Sequence, residues 1–265
     1  MNIAVITGAS SGIGKEFFNQ LPKWCEVDEV WLIARRKERL EAMGENSPIK
    51  VRAVPMDLSK LEDFVIYSNL LEKVKPTIKL LINCAGIGQF GDALNTPIEQ
   101  DQKIIDVNCK ALLTMTRLSI PYMEKGSKIM EVGSMSSFQP TPYMTTYAAT
   151  KAFVLSYARA MNAELKPRGI RVMCVTPYYV KTEFFDYAFK TNEGNKVQHF
   201  GKLYPSEDIV KTAYRDLYKS KKDYSACGFS SKGQVFLVKL LPHKLVIKIW
   251  LKQQSKPKNL DKAMK

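Results

Sequence analysis

Short apolar runs of strand length alternate with longer stretches of helical periodicity along most of this chain. That alternation limits the fold more than any other feature. The runs are Ile3–Thr7, Val30–Ala34, Val51–Pro55, Lys79–Asn83, Lys128–Val132 and Ile170–Thr176. Between and after them, helical patterns cover Lys15–Leu21, Lys37–Met43, Lys60–Val74, Asp101–Met123, Tyr147–Lys166 and a segment that Ser206 is expected to cap and that runs to roughly Leu217. Strand, helix, strand at this spacing makes βαβ units and a parallel sheet, an α/β fold. Such sheets bind ligands beyond the carboxyl ends of their strands. Gly8, Asn83, Ser134 and Pro177 all fall there, which points to one common site.

The first run leads into Thr7-Gly8-Ala9-Ser10-Ser11-Gly12-Ile13-Gly14 and then a helix. Glycines here allow backbone shapes closed to other residues and a close approach to a ligand. The free N–H groups at the helix start suit a pyrophosphate. Taken alone, such a turn is equally a structural one; its place between the first strand and a helix favours nucleotide binding. The second run ends in Ala34-Arg35-Arg36-Lys37. An NAD site usually carries an acid there for the ribose 2′-hydroxyl, and cations in its place favour a 2′-phosphate, hence NADPH. After the third run, Ser59 is expected to cap the next helix, with Asp57 either helping that cap or, beside Leu58, facing the adenine. After the fourth, Cys84-Ala85-Gly86 leaves room for a cofactor.

The stretch from Met130 to Lys151 carries the chemistry. Tyr147 and Lys151 stand four residues apart at the head of a helix, so phenol and ammonium point the same way. A nearby cation is expected to lower the tyrosine pKa toward neutrality, fitting it to give or take a proton. Ser134, at the end of the preceding strand, reaches the same spot with a hydroxyl. Asn108 sits inside a long helical pattern where an amide is unhelpful. It either anchors a water or a backbone carbonyl near the site, or lies on the surface.

Composition excludes other classes. The five cysteines are scattered without a paired spacing and the two histidines lie far apart, so neither a disulfide framework nor a metal site is expected. Strand-like residues begin at Ile3, and no run is long and apolar enough for a membrane span, which reads as a cytoplasmic chain without a leader. The net charge is +14, but nine lysines and one acid, Asp261, lie from Lys232 onward. The basicity is a property of the tail. That tail has no arginine and few aromatics for base stacking, so nucleic acid is not an expected partner.

With these motifs in order, the chain resembles the short-chain dehydrogenase/reductase family over roughly Asn2–Ser220. Thr7–Gly14 is similar to the TGxxxGIG cofactor loop, and Asn83-Cys84-Ala85-Gly86 to the N-x-A-G element. Asn108, Ser134, Tyr147 and Lys151 fall at its four catalytic positions. The resemblance implies a Rossmann-type, doubly wound parallel sheet with helices on both faces, formed by a single catalytic domain, 1–231. It implies hydride transfer between NADP(H) and a secondary alcohol/ketone pair, and a homo-oligomer. Tyr147 would be the acid or base, Ser134 would hold the substrate oxygen, Lys151 would tune Tyr147 and bind the ribose, and Asn108 would support a water. Gly8, Ser10, Ser11, Gly12, Ile13, Gly14, Arg35, Arg36, Asp57, Leu58, Asn83, Ala85, Gly86, Pro177, Val180 and Thr182 would join Tyr147 and Lys151 in holding the cofactor. One departure is Tyr178, where the family has glycine after Pro177.

The aromatic-rich segment 178–205 reads as a substrate lid. Met135, Tyr143, Tyr178, Phe184 and Phe185 would line a pocket for a bulky apolar carbonyl or alcohol, steroid-like, acyl or aromatic, or else pack a flap onto the core. The extension 232–265 holds a helical pattern with Lys244, Lys248 and Lys252 on one face and Leu245, Val246, Ile249 and Trp250 on another. It would lie on an anionic membrane surface, dock on its own domain, cover the pocket or form a subunit contact. The end from Ser255 is expected to fray. A protein that binds NADPH without turnover is the alternative reading.

Overall fold

Strand Asn2–Thr7 (β1) alternates Ile3 and Val5 to one side with Ala4 and Ile6 to the other, and all four are fully buried. A strand apolar on both faces must lie inside a sheet covered on both sides. The structure, a computed structural model, describes residues 1–180, 182–189 and 196–256. It places β1 at the centre of a seven-stranded parallel sheet with Glu29–Ala34 (β2), Lys50–Pro55 (β3), Thr77–Asn83 (β4), Lys128–Val132 (β5), Arg171–Val175 (β6) and the short Tyr224–Ser225. The order is β3-β2-β1-β4-β5-β6 and then Tyr224–Ser225 at the edge. Succession reverses between β1 and β4, so this is a doubly wound sheet with its crevice at the ends of those two strands.

Helices Gly12–Gln20 (α1), Lys37–Gly44 (α2), Phe64–Val74 (α3), Ile98–Ile105 (α4), Leu112–Ser119 (α5) and Thr145–Leu165 (α6) cover the two faces. The core is correspondingly double. Ile3, Val5, Trp31, Leu81 and Ile129 pack with α3, α5 and α6, while Ala4, Ile6, Leu32, Ile82 and Met130 pack with α1 and the later helix Ser206–Lys219. Each fully buried Leu or Ile is worth roughly 1.5–3 kcal/mol relative to exposure.

Several boundaries differ from expectation. Ser59 caps no helix: its backbone N–H and hydroxyl both donate to Asp57 Oδ1, and α3 begins only at Phe64 after a single turn of tighter helix. Ser206 is likewise the first helical residue, preceded by Pro205. The long pattern Asp101–Met123 is broken, because Asp106–Ala111 between α4 and α5 is a π-helical segment.

Beyond β6, Tyr179–Val180 (β7) pairs with Leu203–Tyr204 (β8), bracketing helix Glu183–Phe189 (α7). Residues 190–195 of the expected lid, and Lys181, lie outside the described residues, as does the expected frayed end from 257 onward. After Ser206–Lys219 (α8) and Tyr224–Ser225 (β9) come Gly228–Leu240 (α9) and His243–Gln254 (α10). A boundary at Lys232 would cut α9, so the extension is continuous with the domain. Nor is α10 apolar on its outer side in the way expected. Val246, Trp250 and Gln254, one turn apart, face inward, and only Leu245 and Ile249 of the expected apolar face are exposed.

Candidate active site

The glycine turn after β1 is held against the end of β4. Thr7 Oγ1 accepts the backbone N–H groups of Cys84 and Ala85 at 3.0 and 3.1 Å. Gly8 has φ +67°, and a Cβ there would lie 2.8 Å from the Ala85 backbone. A Cβ on Gly14 would come within 2.2 Å of the Gly8 carbonyl oxygen. Side chains at either position would push the loop away from the start of α1, whose first N–H groups have no partner within the helix. Beside this loop lies a cavity of about 860 Å³. Gly8, Ser10, Ser11, Gly12, Ile13 and Gly14 line it at one end, with Arg35, Arg36, Asp57 and Leu58 beyond them.

Arg36 donates to Ser10 Oγ at 2.9 Å and pairs with Glu183 at 2.8 Å, and Glu183 also bonds Arg39 at 2.7 Å. The first turn of α7 is thereby tied over the glycine turn. Burial raises the Asp57 pKa, but the Ser59 bonds and the charges of Arg35 and Lys103 outweigh it and leave the carboxyl below its usual range. Asp57 therefore both holds the Ser59 turn and faces the cavity. Ala85, Gly86, Pro177, Val180 and Thr182 line the middle. This set fits a dinucleotide: a cradle that any Cβ would fill, backbone donors at a helix start, and guanidinium groups instead of an acid at the end of β2.

Ser134, Tyr147 and Lys151 meet at the other end. Ser134 follows β5 and opens a short helical turn; its Oγ accepts the Ser136 N–H at 3.1 Å, and its hydroxyl lines the same cavity wall as the Tyr147 phenol. Tyr147 lies in the first turn of α6, and Lys151, one turn later, donates to the Val132 carbonyl at 2.8 Å. The ammonium lies 5.7 Å from the phenol ring centre. The expected direction of the tyrosine pKa is not what the structure gives. Burial pushes the phenol up to about 12 against the lowering effect of Ser134. The i, i+4 spacing gave the direction of the side chains but not the loss of solvent. Burial also lowers the Lys151 pKa.

Asn108 is fully buried in the π-helical segment, which excludes the surface reading. Its Nδ2 donates to the Ile87 carbonyl at 2.9 Å and to Thr150 Oγ1 at 3.0 Å, and its Oδ1 accepts the Ile87 N–H at 2.9 Å. It lies beneath the cavity rather than on its wall and fixes the Gly86–Ile87 loop in front of Lys151. A wider helical turn at a functional site is a recurrent use of π-segments.

Besides Asn108, two expected residues do not reach the cavity. Asn83 is buried under the sheet edge and donates to Thr116 Oγ1 at 2.8 Å. Tyr143 has φ +63° and stands aside with Lys196 over its ring; its neighbour Met144 takes the lining position. Met135, Tyr178, Phe184 and Phe185 do line the wall. Tyr178 is accommodated because Gly201 gives way: a Cβ there would lie 2.2 Å from the Tyr178 hydroxyl. Phe90, Met144, Tyr147, Phe185, Phe200 and Trp250 form one apolar cluster around the substrate end. The aromatics thus both line a pocket and pack the flap.

Trp250, Gln253 and Gln234 also line the cavity, and sequence reasoning did not single them out as wall residues. Trp250 Nε1 donates to the Pro142 carbonyl at 3.0 Å. Gln254 accepts the N–H groups of Gln198 and His199 at 2.9 and 3.0 Å and donates back to the His199 carbonyl. The inner face of α10 therefore straps the lid and the loop before α6. The inward stripe 246, 250, 254 was the available signal.

The family described as short chain dehydrogenase matches residues 2–193. Very-long-chain 3-oxoacyl-CoA reductases from Neurospora crassa and Anas platyrhynchos are 35% and 36% identical over 191 and 194 residues. Each match covers 68% of this chain; it covers 56% of the first relative and 60% of the second, so the chain spans little more than half of their length. Among solved structures, a short-chain dehydrogenase from Sphingobium yanoikuyae in complex with NADPH superimposes with a TM-score of 0.76 at 26% identity, covering 91% of this chain and 94% of that one. A 3-ketoacyl-(acyl-carrier-protein) reductase from Brucella melitensis complexed with NADH gives 0.70 at 28% identity, covering 85% and 95%.

Proposed function

The chain belongs to the short-chain dehydrogenase family, and on that premise we propose that it is an NADPH-dependent reductase of bulky apolar ketones, with 3-oxoacyl thioesters the foremost class. The observation that carries this reading is the meeting of Ser134, Tyr147 and Lys151 at the end of a dinucleotide-shaped cavity whose far wall is aromatic. The names of the relatives supply the acyl class, and the cluster from Phe90 to Trp250 suits a long apolar chain.

A bound nicotinamide supplies hydride to the carbonyl carbon. Reduction then needs a proton at the carbonyl oxygen, and Tyr147 holds one: a phenol raised to about 12 is protonated at neutral pH. Ser134 donates to the same oxygen as negative charge develops on it. Lys151 places a cation behind the phenol and stabilises the tyrosinate left when the proton departs. Asn108 keeps the Ile87 backbone, and with it the wall facing Lys151, in place. Trp250 and the lid exclude water from the reacting end. A homo-oligomer remains part of the proposal through the family.

NADPH oxidation against 3-oxoacyl thioesters of increasing chain length, ketosteroids, aromatic aldehydes and small sugars tests the reading. Rates confined to small hydrophilic sugars would remove it. Trp250→Ala is expected to raise KM for the longest acyl substrate while leaving kcat for a small ketone within a few-fold, because the indole walls the pocket without touching the reacting atoms.

The cofactor preference has its own test. A charge-assisted arginine–phosphate contact is worth about 1.5–3 kcal/mol. Arg36→Ala should therefore raise KM for NADPH by roughly ten- to a hundredfold and leave KM for NADH little changed. A wild-type protein that prefers NADH would refute the assignment of Arg35 and Arg36 to a 2′-phosphate.

A further inference from the structure

The outer sides of α9 and α10 have no role in the pocket, yet they carry the largest exposed apolar side chains near it. On α9, Ser231, Val235 and Val238 face inward. Phe229, Phe236, Leu237 and Leu240 face out, with Phe229 94% and Leu240 66% exposed. Phe229, Gly233, Phe236 and Leu240 share one helical face. On α10, Lys244, Lys248 and Lys252 form the outward stripe, flanked by exposed Leu245 and Ile249. From Gly228 to Lys256 there are six lysines and not one Asp or Glu.

We propose that the exposed sides of the consecutive helices α9 and α10 dock on an anionic lipid surface. Phe229, Phe236, Leu237 and Leu240 would enter the headgroup boundary while the α10 lysines meet lipid phosphates. Two physical arguments select this occupant. Exposed apolar residues on this scale, bordered by cations, match an interfacial amphipathic element, in which long lysine stems cover apolar surface while their charges reach outward. A second copy of the chain fits poorly: a two-fold contact sets each patch against itself, and a patch with lysines and no acids would meet its own charge. Among the described residues no helix is long and apolar enough to cross a membrane, so the contact is peripheral.

The same two helices turn Gln234, Trp250 and Gln253 toward the cavity. Docking therefore brings the wall of the substrate end against the lipid surface, where an apolar substrate partitions. The inner and outer sides of each helix serve the two tasks, and this surface does not depend on the identity of the ketone.

The test is co-sedimentation of the full chain with phosphatidylcholine vesicles and with vesicles holding about one-third phosphatidylglycerol. The wild type is expected to pellet with the anionic vesicles and to be released by salt. Exchanging Lys244, Lys248 and Lys252 together for Gln should weaken partition by up to about a hundredfold, at about fivefold per lysine. Phe236→Asp with Leu240→Asp should abolish it. Both variants point away from the cavity and should keep their thermal transition and their rate on a water-soluble ketone. Failure of the wild type to pellet, or equal pelleting of wild type and variants, overturns the proposal. So does a concentration-dependent dimer in the absence of lipid that Phe236→Asp and Leu240→Asp dissolve, since a second copy then owns the face.

Discussion

Tyr147→Phe is expected to lower kcat for ketone reduction by about 10²- to 10⁴-fold, the usual worth of a positioned general acid, with NADPH affinity nearly unchanged. The ring stays and only the hydroxyl goes. Its packing against Phe184, with ring centres 5.4 Å apart, survives the exchange. So does the Lys151 bond to the Val132 carbonyl, which does not involve the phenol. What disappears is the hydroxyl that shares this end of the cavity with Ser134 and carries a proton at neutral pH. Fluorescence titration with NADPH beside steady-state kinetics separates the possibilities. Unchanged turnover would falsify the acid role. NADPH binding with no turnover of any carbonyl, in wild type and variant alike, would instead favour a nucleotide sensor.

The fold was legible because its inner strands are buried on both faces. A run such as Val30–Ala34 has no polar side to confuse with a surface helix, and each run ends at a turn. The glycine turn and the Ser134, Tyr147, Lys151 set were legible for a related reason: spacing along the chain becomes proximity once strand ends share one edge. Long-range packing was less visible. Nothing local marks the π-helical turn that buries Asn108, since it arises from Ile87 and Thr150 closing on the amide. Asn83 sits at a strand end like the cavity residues, yet its side chain falls on the opposite side and bonds Thr116. The helix α10 shows a period but not a direction. Its pattern offers two apolar stripes, and only contact with Pro142 and the lid decides that Val246 and Trp250 are the inner one. The tyrosine pKa was misjudged because sequence spacing reports charge neighbours and not lost water.

Glu131 yields the second large effect, and it went unnoticed in the sequence because it sits within an apolar run. It is fully buried on β5, opposite Asn83 of β4. Burial pushes its carboxyl up to about 8 against the bonds from Thr116 and Asn83 and the charge of Lys151. The local hydrogen bonds favour the neutral acid as well. Thr116 Oγ1 accepts from Asn83 and lies 2.8 Å from both the Leu112 carbonyl and Glu131 Oε1, with one proton to give. If Glu131 carries a proton, it donates to Thr116, which donates to Leu112, and the oxygens left without partners are uncharged. If it is ionised, a buried charge is short of donors.

The folded pKa is raised above the unfolded value of 4.5. The native state therefore binds the proton more tightly. The stabilisation it gives is complete below about pH 4.5 and is lost as pH rises through about 8. Across the interval the slope approaches about 1.4 kcal/mol per pH unit, so urea unfolding should show a loss of about 2 kcal/mol from pH 5.5 to 7.5. Glu131→Gln keeps the shape and stays neutral at every pH. It should flatten that slope and be the more stable protein at pH 8.5. A variant that is weaker at all pH values with the slope intact would mean that the native carboxyl is charged and paired, and that another group sets the pH dependence.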